Sequence, residues 1–499
     1  MNTVVAAIED VARRNAGAPA LSWHKATWSY ADLAGAMTRV SEALPVNTGD
    51  RVALLLRNSP QFAAAFYGVL RAGAAAVPLN VQERASVLAR QIEHCGARVV
   101  LADAAHVEFA ALRAALDGKG VTLLPLTLVD AQNGCEAFCA SLGTPAARSI
   151  PALSAASLAC IIYTSGTTGR PKGVMLSHGN LASNARIIAS YLGIVPGDKV
   201  MCPLPFHFSY GMSVLNSNLA TGAQVALEDN LAFPQVLVKR LQDEGITGFA
   251  GVPATFALLL GRTQLADFDL SRVRYVTQAG GAMPRPQIQA LRAALPKARL
   301  FVMYGQTEAT ARLSYLPPDK LDEKLGSVGL PLPGVDIEIR DPSGRVVPDG
   351  EVGELCARGP NVMMGYWDDA ALSAQVVRDG WLHTGDLAHR DGDGYLYIDG
   401  REVEMIKVGA FRVSPQEIEE VLATLPCVQE VAVTGVPDAL LGQAIKAVIV
   451  PREGAAADVM GVKAHCRAHL AQYKIPKVVE FAAELPRTSS GKVQRYKLA

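Results

Sequence analysis

Tyr163-Thr164-Ser165-Gly166-Thr167-Thr168-Gly169-Arg170-Pro171-Lys172-Gly173 is the stretch around which the rest of the sequence is read. Seven of these eleven residues are Gly, Ser or Thr, and a lysine stands next to the end. Glycines let a backbone turn sharply and come close to a ligand. Hydroxyls and backbone N–H groups supply donors, and Lys172 supplies a positive charge, which together make a surface for a polyphosphate. Just upstream, residues 158–163 (Leu-Ala-Cys-Ile-Ile-Tyr) read as a short buried strand, so the loop leaves a strand end, where open α/β sheets bind their ligands. It is not a Walker loop, because Lys172 follows Pro171 and precedes Gly173. A Rossmann fingerprint fails on the spacing of Gly166, Gly169 and Gly173. A flexible surface loop has the same composition, so the order of residues has to decide.

Outward from the loop, strands and helices alternate. Val4 to Arg14 is patterned as an amphipathic helix. Residues 52–56 are a buried strand, and Asn58-Ser59-Pro60 gives a cap and a first-turn proline for a helix to about Gly73. Residues 74–78 form the next strand, completing a βαβ unit, and 97–102 add another. The alternation predicts a doubly wound sheet. Beyond the loop, Ser177-His178-Gly179-Asn180 starts a helix to about Leu192, 200–203 is strand-like, and 204–211 is an aromatic-rich turn. Residues 223–227 read as a strand and 234–244 as a helix. Strands at 247–253, 274–279 and 300–304 end in small or polar residues, as a crevice at strand ends requires: Gly251, Gly280-Gly281 and Gly305-Gln306-Thr307-Glu308. From about residue 325, short alternating runs at 335–340, 353–358 and 395–398 lie between Asp-Pro, Pro-Asp-Gly and Asp-Gly turns, which reads as a small antiparallel or barrel-like subdomain. The last hundred residues pair a capped helix at Ser414 with strands at 428–435 and 444–450 and a helix at 460–472. The fold class expected is therefore α/β: a large N-terminal domain (1–400) of doubly wound sheets with the antiparallel subdomain at about 325–400, then a small α+β domain (401–499).

At 499 residues several domains are expected. Lys plus Arg (47) equals Asp plus Glu (47), so no basic excess argues for nucleic acid. The eight cysteines are scattered without a CxxC pair and read as reduced thiols. The N-terminus carries Glu9 and Asp10 and no signal-like apolar core, and the apolar run 246–260 is broken by Gly251 and Pro253. A cytoplasmic enzyme without a membrane anchor is the expectation.

The residue order of 163–173 closely resembles the phosphate-loop signature of the adenylate-forming superfamily: acyl- and aryl-CoA synthetases, stand-alone adenylation enzymes and luciferases. Three further stretches resemble that family's motifs in family order: Tyr304-Gly305-Gln306-Thr307-Glu308, Thr384-Gly385-Asp386, and Pro486-Arg-Thr-Ser-Ser-Gly-Lys492. The resemblance covers the chain from about Asp50 to Lys492. It implies an ATP- and Mg2+-dependent enzyme that joins a carboxylic acid to AMP, releases pyrophosphate, and then passes the acyl group to a thiol. A carboxylate is a poor electrophile, so its oxygen has to become a leaving group first, and charge at the α-phosphorus has to be offset. The resemblance implies that Thr164, Ser165, Gly166, Thr167, Thr168, Gly169 and Lys172 hold the β- and γ-phosphates. It gives Thr307 to the α-phosphate and Glu308 to the metal, a hard cation that prefers oxygen. Gly280 and Gly281 leave room for adenine beside Tyr304, Gly305 and Gln306. Asp386 takes the ribose hydroxyls, Arg401 assists, and Lys492 swings onto the reacting oxygens on a mobile C-terminal lid.

The same resemblance places the acyl pocket among His207, Phe249, Val252, Ala279 and Gly305, with His207 as a gate. No carboxylate lies between Met201 and Gly222 to pair a substrate ammonium, which disfavours a free α-amino acid. Arg312, near Glu308, is a candidate for a second polar group on the acid. Lys407 and Gly409 fit the segment that lines a thiol tunnel, while Val403 and Ala410 depart from the family's hinge and glycine positions. Tyr473-Lys474-Ile475-Pro476 favours CoA over a carrier protein. His465 and His469 read as surface, and Asp391-Gly-Asp-Gly394 as a turn. The first reading is an acid:CoA ligase; the second is a stand-alone adenylation enzyme loading a carrier protein in trans; the third, a non-catalytic nucleotide binder, is disfavoured by Glu308, Asp386 and Lys492.

Overall fold

The computed structural model describes all residues except 1, 131–133, 143–149, 165–171, 232, 402–403, 409–410, 439–441, 457, 471, 488–491 and 499, with backbone alone at 401, 407, 411–412 and 442. Two large sheets carry the N-terminal part. One has seven strands in the order Gly365–Tyr366, Lys172–Ser177, Leu158–Thr164, Ala75–Pro78, Arg51–Leu55, Val99–Asp103 and Thr122–Leu126. The last five run parallel. Residues 52–55 and 75–78 are buried throughout, the continuous apolar run expected of strands covered on both faces.

The other sheet has nine strands: Leu330–Pro331, Ser314–Leu316, Arg299–Tyr304, Tyr275–Gln278, Gly248–Gly251, Lys199–Cys202, Gln224–Leu227, Pro19–Trp23 and Ala26–Ser29. Its six central strands are parallel, from Arg299–Tyr304 to Pro19–Trp23. The helix Pro60–Arg71 lies between the sheets, against Arg51–Leu55 and Ala75–Pro78 of one and Pro19–Trp23 of the other. Every residue from Pro60 to Leu70 is buried, as a helix with apolar surface all round must be. It starts where the sequence places it, with the Ser59 hydroxyl accepting from the Phe62 N–H at 3.1 Å. A Cβ on Gly68 would stand 2.5 Å from the Val40 Cβ, so glycine permits the close crossing with the helix Tyr30–Ala43.

A third, antiparallel sheet follows: Asp336–Arg340, Gly353–Arg358, Trp381–Arg390 and Val377–Arg378, with Leu396–Arg401 paired to Trp381–Arg390. This is the small antiparallel unit that the turn-rich texture predicts. At the C-terminus Phe411–Val413, Ile406–Val408, Gly442–Pro451 and Val428–Asp438 form a further antiparallel sheet, with Val478–Phe481 parallel to Gly442–Pro451. The helices Pro415–Leu422 and Val459–His469 share its core through Ile418, Leu422, Val462 and Cys466.

Three elements differ from the sequence reading. The 163–173 stretch leads into a strand the sequence reading does not include, Lys172–Ser177, and so joins two antiparallel strands, with Tyr163 opposite Gly173 and Thr164 opposite Lys172. The aromatic-rich turn at 204–211 gives way to a helix, Ser209–Leu219, whose Ser213, Asn216, Ser217 and Asn218 are buried although polar. Thr384-Gly385-Asp386 sits in the middle of the ten-residue strand Trp381–Arg390. Among the described residues no helix is long and apolar enough to cross a membrane.

Candidate active site

The strand Arg299–Tyr304 ends at Gly305, and the chain then folds back on itself. A Cβ on Gly305 would lie 2.2 Å from the Ala311 carbonyl oxygen, so no side chain fits there. Thr310 (φ 52) and Ala311 (φ 91) both occupy the left-handed region, which costs a non-glycine residue about 1–3 kcal/mol. Asn361 holds this loop. It is fully buried, and its amide donates to the carbonyls of Ala309 (3.3 Å) and Arg312 (2.6 Å). The Thr310 hydroxyl in turn donates to the Asn361 carbonyl at 2.6 Å. Asn361 is itself flanked by two anchors, because the Asn180 amide donates to the carbonyls of Pro360 (2.8 Å) and Val362 (2.9 Å). Asn180 is also the capping-box partner of Ser177, so the start of the helix His178–Leu192 braces the 305–312 loop at one remove.

The loop presents Thr307 and Glu308. The Thr307 hydroxyl is 3.2 Å from that of Ser209. Glu308 accepts from the Tyr366 hydroxyl at 2.8 Å through Oε1, and its carbonyl accepts from the Met363 N–H at 2.8 Å. Tyr366 belongs to the two-residue strand Gly365–Tyr366, laid antiparallel against Val174 and Met175. The Lys172 ammonium stands 5.8 Å over the Tyr366 ring. The lysine and the carboxylate predicted from separate motifs therefore meet at one tyrosine that no motif indicated. Ser165, Gly166, Thr167, Thr168 and Gly169 lie outside the described residues. Thr164 and Lys172 flank them, paired in register.

Next to this cluster the Tyr304 hydroxyl donates to Asp386 Oδ2 at 2.5 Å. Asp386 is only 5% exposed, and its N–H donates to the Thr384 hydroxyl at 3.1 Å. Gly385 between them has φ +72 and donates its N–H to Glu354 at 3.1 Å. Glu354 also meets His383 Nδ1 at 2.8 Å, and the Cys356 thiol lies 3.4 Å from the same nitrogen. These three side chains offer a carboxylate, a thiol and an imidazole within 4.8 Å. Their bonds to one another and to Gly385 make them a brace for the 384–386 turn. Arg401 stands opposite Asp386 on the adjacent strand, with its backbone alone described.

The acyl-pocket residues divide. His207 Nε2 is buried without a hydrogen-bond partner among the described residues, and burial pushes its pKa down to about 4, so the ring is neutral at pH 7. Asn58 fixes the approach to it by donating to Leu204 O (2.8 Å) and accepting from Phe206 N (2.9 Å). Gly280 (φ +88) and Gly281 are exposed at the end of the strand Tyr275–Gln278, with Ala279 beneath. A Cβ on Gly280 would be 3.2 Å from Val252, which places Val252 at the same opening. Phe249 is set deeper. It is 1% exposed and packs edge-on against Phe256, in the core that includes Met201 and Val238. Strand alternation puts it on the opposite face of the sheet from Ala250. Arg312 is corrected. It is 2% exposed, its guanidinium lies 4.2 Å over the Tyr210 ring, and it donates to the Ala311 carbonyl at 3.2 Å. It supports the loop from behind.

In the C-terminal part Lys492 is exposed, one residue before Val493, which bridges to Arg487. Lys407 lies in the strand Ile406–Val408, opposite Arg412, with its backbone alone described. Gly409, Val403 and Ala410 fall outside the described residues. Asn361, Tyr366, Asn180 and Glu354 are the site residues that sequence reasoning missed.

The family model described as AMP-binding enzyme matches residues 8–367, and that described as AMP-binding enzyme C-terminal domain matches 417–492. An indoleacetate–CoA ligase of Aromatoleum aromaticum is 35% identical over 490 residues, covering 96% of this chain and 94% of its own. A long-chain-fatty-acid–CoA ligase of Salmonella typhimurium is 34% identical over 490 residues, covering 92% and 86%. Among solved structures, an anthranilate CoA ligase in complex with anthranoyl-AMP superposes with a TM-score of 0.90 at 26% identity, over 99% of this chain and 96% of that one.

Proposed function

The chain belongs to the AMP-binding enzyme family, and from that premise we propose that it is an ATP-dependent, AMP-forming acid:CoA ligase. The observation that carries the reading is the meeting of Lys172 and Glu308 at Tyr366, with Thr307 one residue before Glu308 and against Ser209, next to the Tyr304–Asp386 pair. In the first half-reaction an oxygen of the acid attacks the α-phosphorus of ATP, and the bond to the β-phosphate oxygen breaks. Pyrophosphate leaves, and the acid is held as a mixed anhydride with AMP. In the second, a thiol sulfur attacks the acyl carbon, loses its proton, and AMP leaves.

Each residue has a part that follows from its chemistry. Lys172 and the 164–169 segment would hold the β- and γ-phosphates by charge and by N–H and O–H donors. The Thr307 hydroxyl would donate to the α-phosphate. Glu308 fits a magnesium ion, because Tyr366 occupies one carboxylate oxygen and the other has no partner among the described residues. Magnesium held there would screen the phosphate charge. Asp386 would bind the ribose hydroxyls, with Tyr304 and Arg401 beside it, and the exposed Gly280 and Gly281 leave a flat opening for adenine. Lys492, brought in as residues 401–499 turn about a hinge near 401–403, would offset charge on the reacting oxygens. Lys407 and Gly409 would then line the thiol path.

A neutral His207 beside small and apolar neighbours suits the uncharged part of the acid and gives a free ammonium no partner. The acids in the names of the relatives range from indoleacetate to long-chain fatty acids, so aryl and aliphatic acids both belong in the assay. CoA is the acceptor we propose, since the relatives are CoA ligases; a carrier protein is the rival. The test is to supply the purified chain with ATP, Mg2+, a panel of acids and either CoA or a phosphopantetheinylated carrier, and to weigh the products. An acyl-CoA from at least one acid supports the proposal. Acylation of the carrier alone would replace CoA with a protein acceptor.

A further inference from the structure

The footing of Lys492 is built more firmly than a surface tail requires. Downstream, Arg495 meets Glu419 of the helix Pro415–Leu422 in a forked contact: Nη2 lies 2.9 Å from both carboxylate oxygens and Nε 3.2 Å from Oε1. Glu419 also accepts from the Val433 N–H of the strand Val428–Asp438 at 2.7 Å. Arg495 Nη1 reaches Glu404, just past the segment where the chain enters the C-terminal part, at 3.3 Å. Upstream, Arg487 pairs with Glu430 at 2.9 Å and bridges to Val493, and the Gln494 N–H donates to the Pro486 carbonyl at 2.8 Å. Leu485 and Leu498 are buried with Ala432, Val448 and Val450, and Val493 packs against them.

We propose that Arg495 and Glu419 are positioning residues for Lys492, fixing the stem of its loop so that the ammonium is delivered to one place in the first half-reaction. The inference rests on the role given to Lys492 above and adds the means by which a flexible side chain is aimed. Lysine has a four-carbon stem and presents a point charge, so its backbone has to supply the precision. Arg495 is three residues from Lys492, and its planar fork resists rotation in a way a single contact does not. The bond from Val433 ties the receiving carboxylate to the strand Val428–Asp438, so Arg495, the helix and the sheet are held to one another.

The experiment separates the two half-reactions, measuring acyl-adenylate formation from ATP and acid, and thioester formation from supplied acyl-adenylate and CoA. Arg495→Met and Glu419→Gln should each slow the first by roughly 10- to 100-fold, the scale of a positioning error of about 1 Å. Each should leave the second within about twofold. Arg495→Lys should recover only part of the loss, because it keeps the charge and forfeits the fork. The double variant should be no slower than the worse single one. The second half-reaction also monitors folding, since it needs the same C-terminal domain. Equal losses in both half-reactions would reduce the pair to a stability role and overturn the inference. Lys492→Ala is measured in parallel. If it abolishes adenylation while the Arg495 and Glu419 variants do not slow it, the positioning inference alone fails. If it leaves adenylation intact, the role given to Lys492 fails and the inference with it.

Discussion

Replacing Asn361 with alanine removes the side chain on which the Thr307–Glu308 loop hangs. The amide donates to two carbonyls, at 2.6 and 3.3 Å, and Asn361 is wholly buried. The Ala309 carbonyl keeps the Arg312 N–H at 3.3 Å, so only the Arg312 carbonyl is left without a partner among the described residues, at a cost of about 1–3 kcal/mol if nothing moves. The loop has a reason to move, since Thr310 and Ala311 are strained by about 1–3 kcal/mol each and relax once the hold is gone. Most of the cost should therefore appear as a displaced loop, with a Tm drop of no more than a few degrees. Thr307 and Glu308 sit in that loop, and a shift of about 1 Å there should cost about 10²-fold in turnover. The assay is acid-dependent AMP release beside a thermal melt. Turnover within about threefold of wild type together with a large fall in Tm would show that Asn361 stabilises the core without holding the loop, and would refute the reasoning.

Three other outcomes are expected. Asp386→Asn should raise the KM for ATP by about tenfold or more, the worth of a charged hydrogen bond, with little change in the KM for the acid; an unchanged ATP KM in initial-rate assays would remove Asp386 from the nucleotide site. His207→Ala should change the order of preference across an acid panel while ATP affinity stays the same, and an unaltered profile would take His207 out of the pocket. Burial lowers the pKa of His207 and of His178 to about 4 from the usual 6.5. Between those values the unfolded chain binds more protons than the folded one, so stability should rise with pH from about 4 to 6.5 and be fully present above that; melts of His178→Asn or His207→Asn that show the same slope as wild type would contradict this.

The sequence was most legible where chemistry and locality coincide. The buried strands at 52–55 and 75–78 are runs of apolar residues, and the helices at Pro60 and His178 begin with their own capping residues, so local order sufficed. Thr307, Glu308 and Asp386 each stand in a short motif. The helix Ser209–Leu219 was hidden because it is buried all round with polar residues among the apolar ones, and so has no amphipathic period: Asn216 bonds the Tyr67 hydroxyl at 2.8 Å, a partner 149 residues away. The strand Trp381–Arg390 was hidden because two of its inward positions, Thr384 and Asp386, are polar, so the alternation of buried and exposed residues has no apolar counterpart in the sequence. The supports of the site were illegible for a common reason. Asn361 acts on carbonyls about fifty residues away, Tyr366 on Glu308 across 58, and Asn180 on Pro360 across 180. Their hydrogen bonds go to backbone or to a single side chain, so nothing in their neighbourhood marks them.

In the proposed reaction the cleft at the ends of these strands joins an acid to AMP before any thiol takes part. Exchange of labelled pyrophosphate into ATP, in the presence of Mg2+ and a panel of aryl and aliphatic acids but without CoA, tests it most directly. Exchange that depends on the acid and disappears in Lys492→Ala is the predicted result. No exchange with any acid, or acid-dependent release of ADP and phosphate instead, would contradict it.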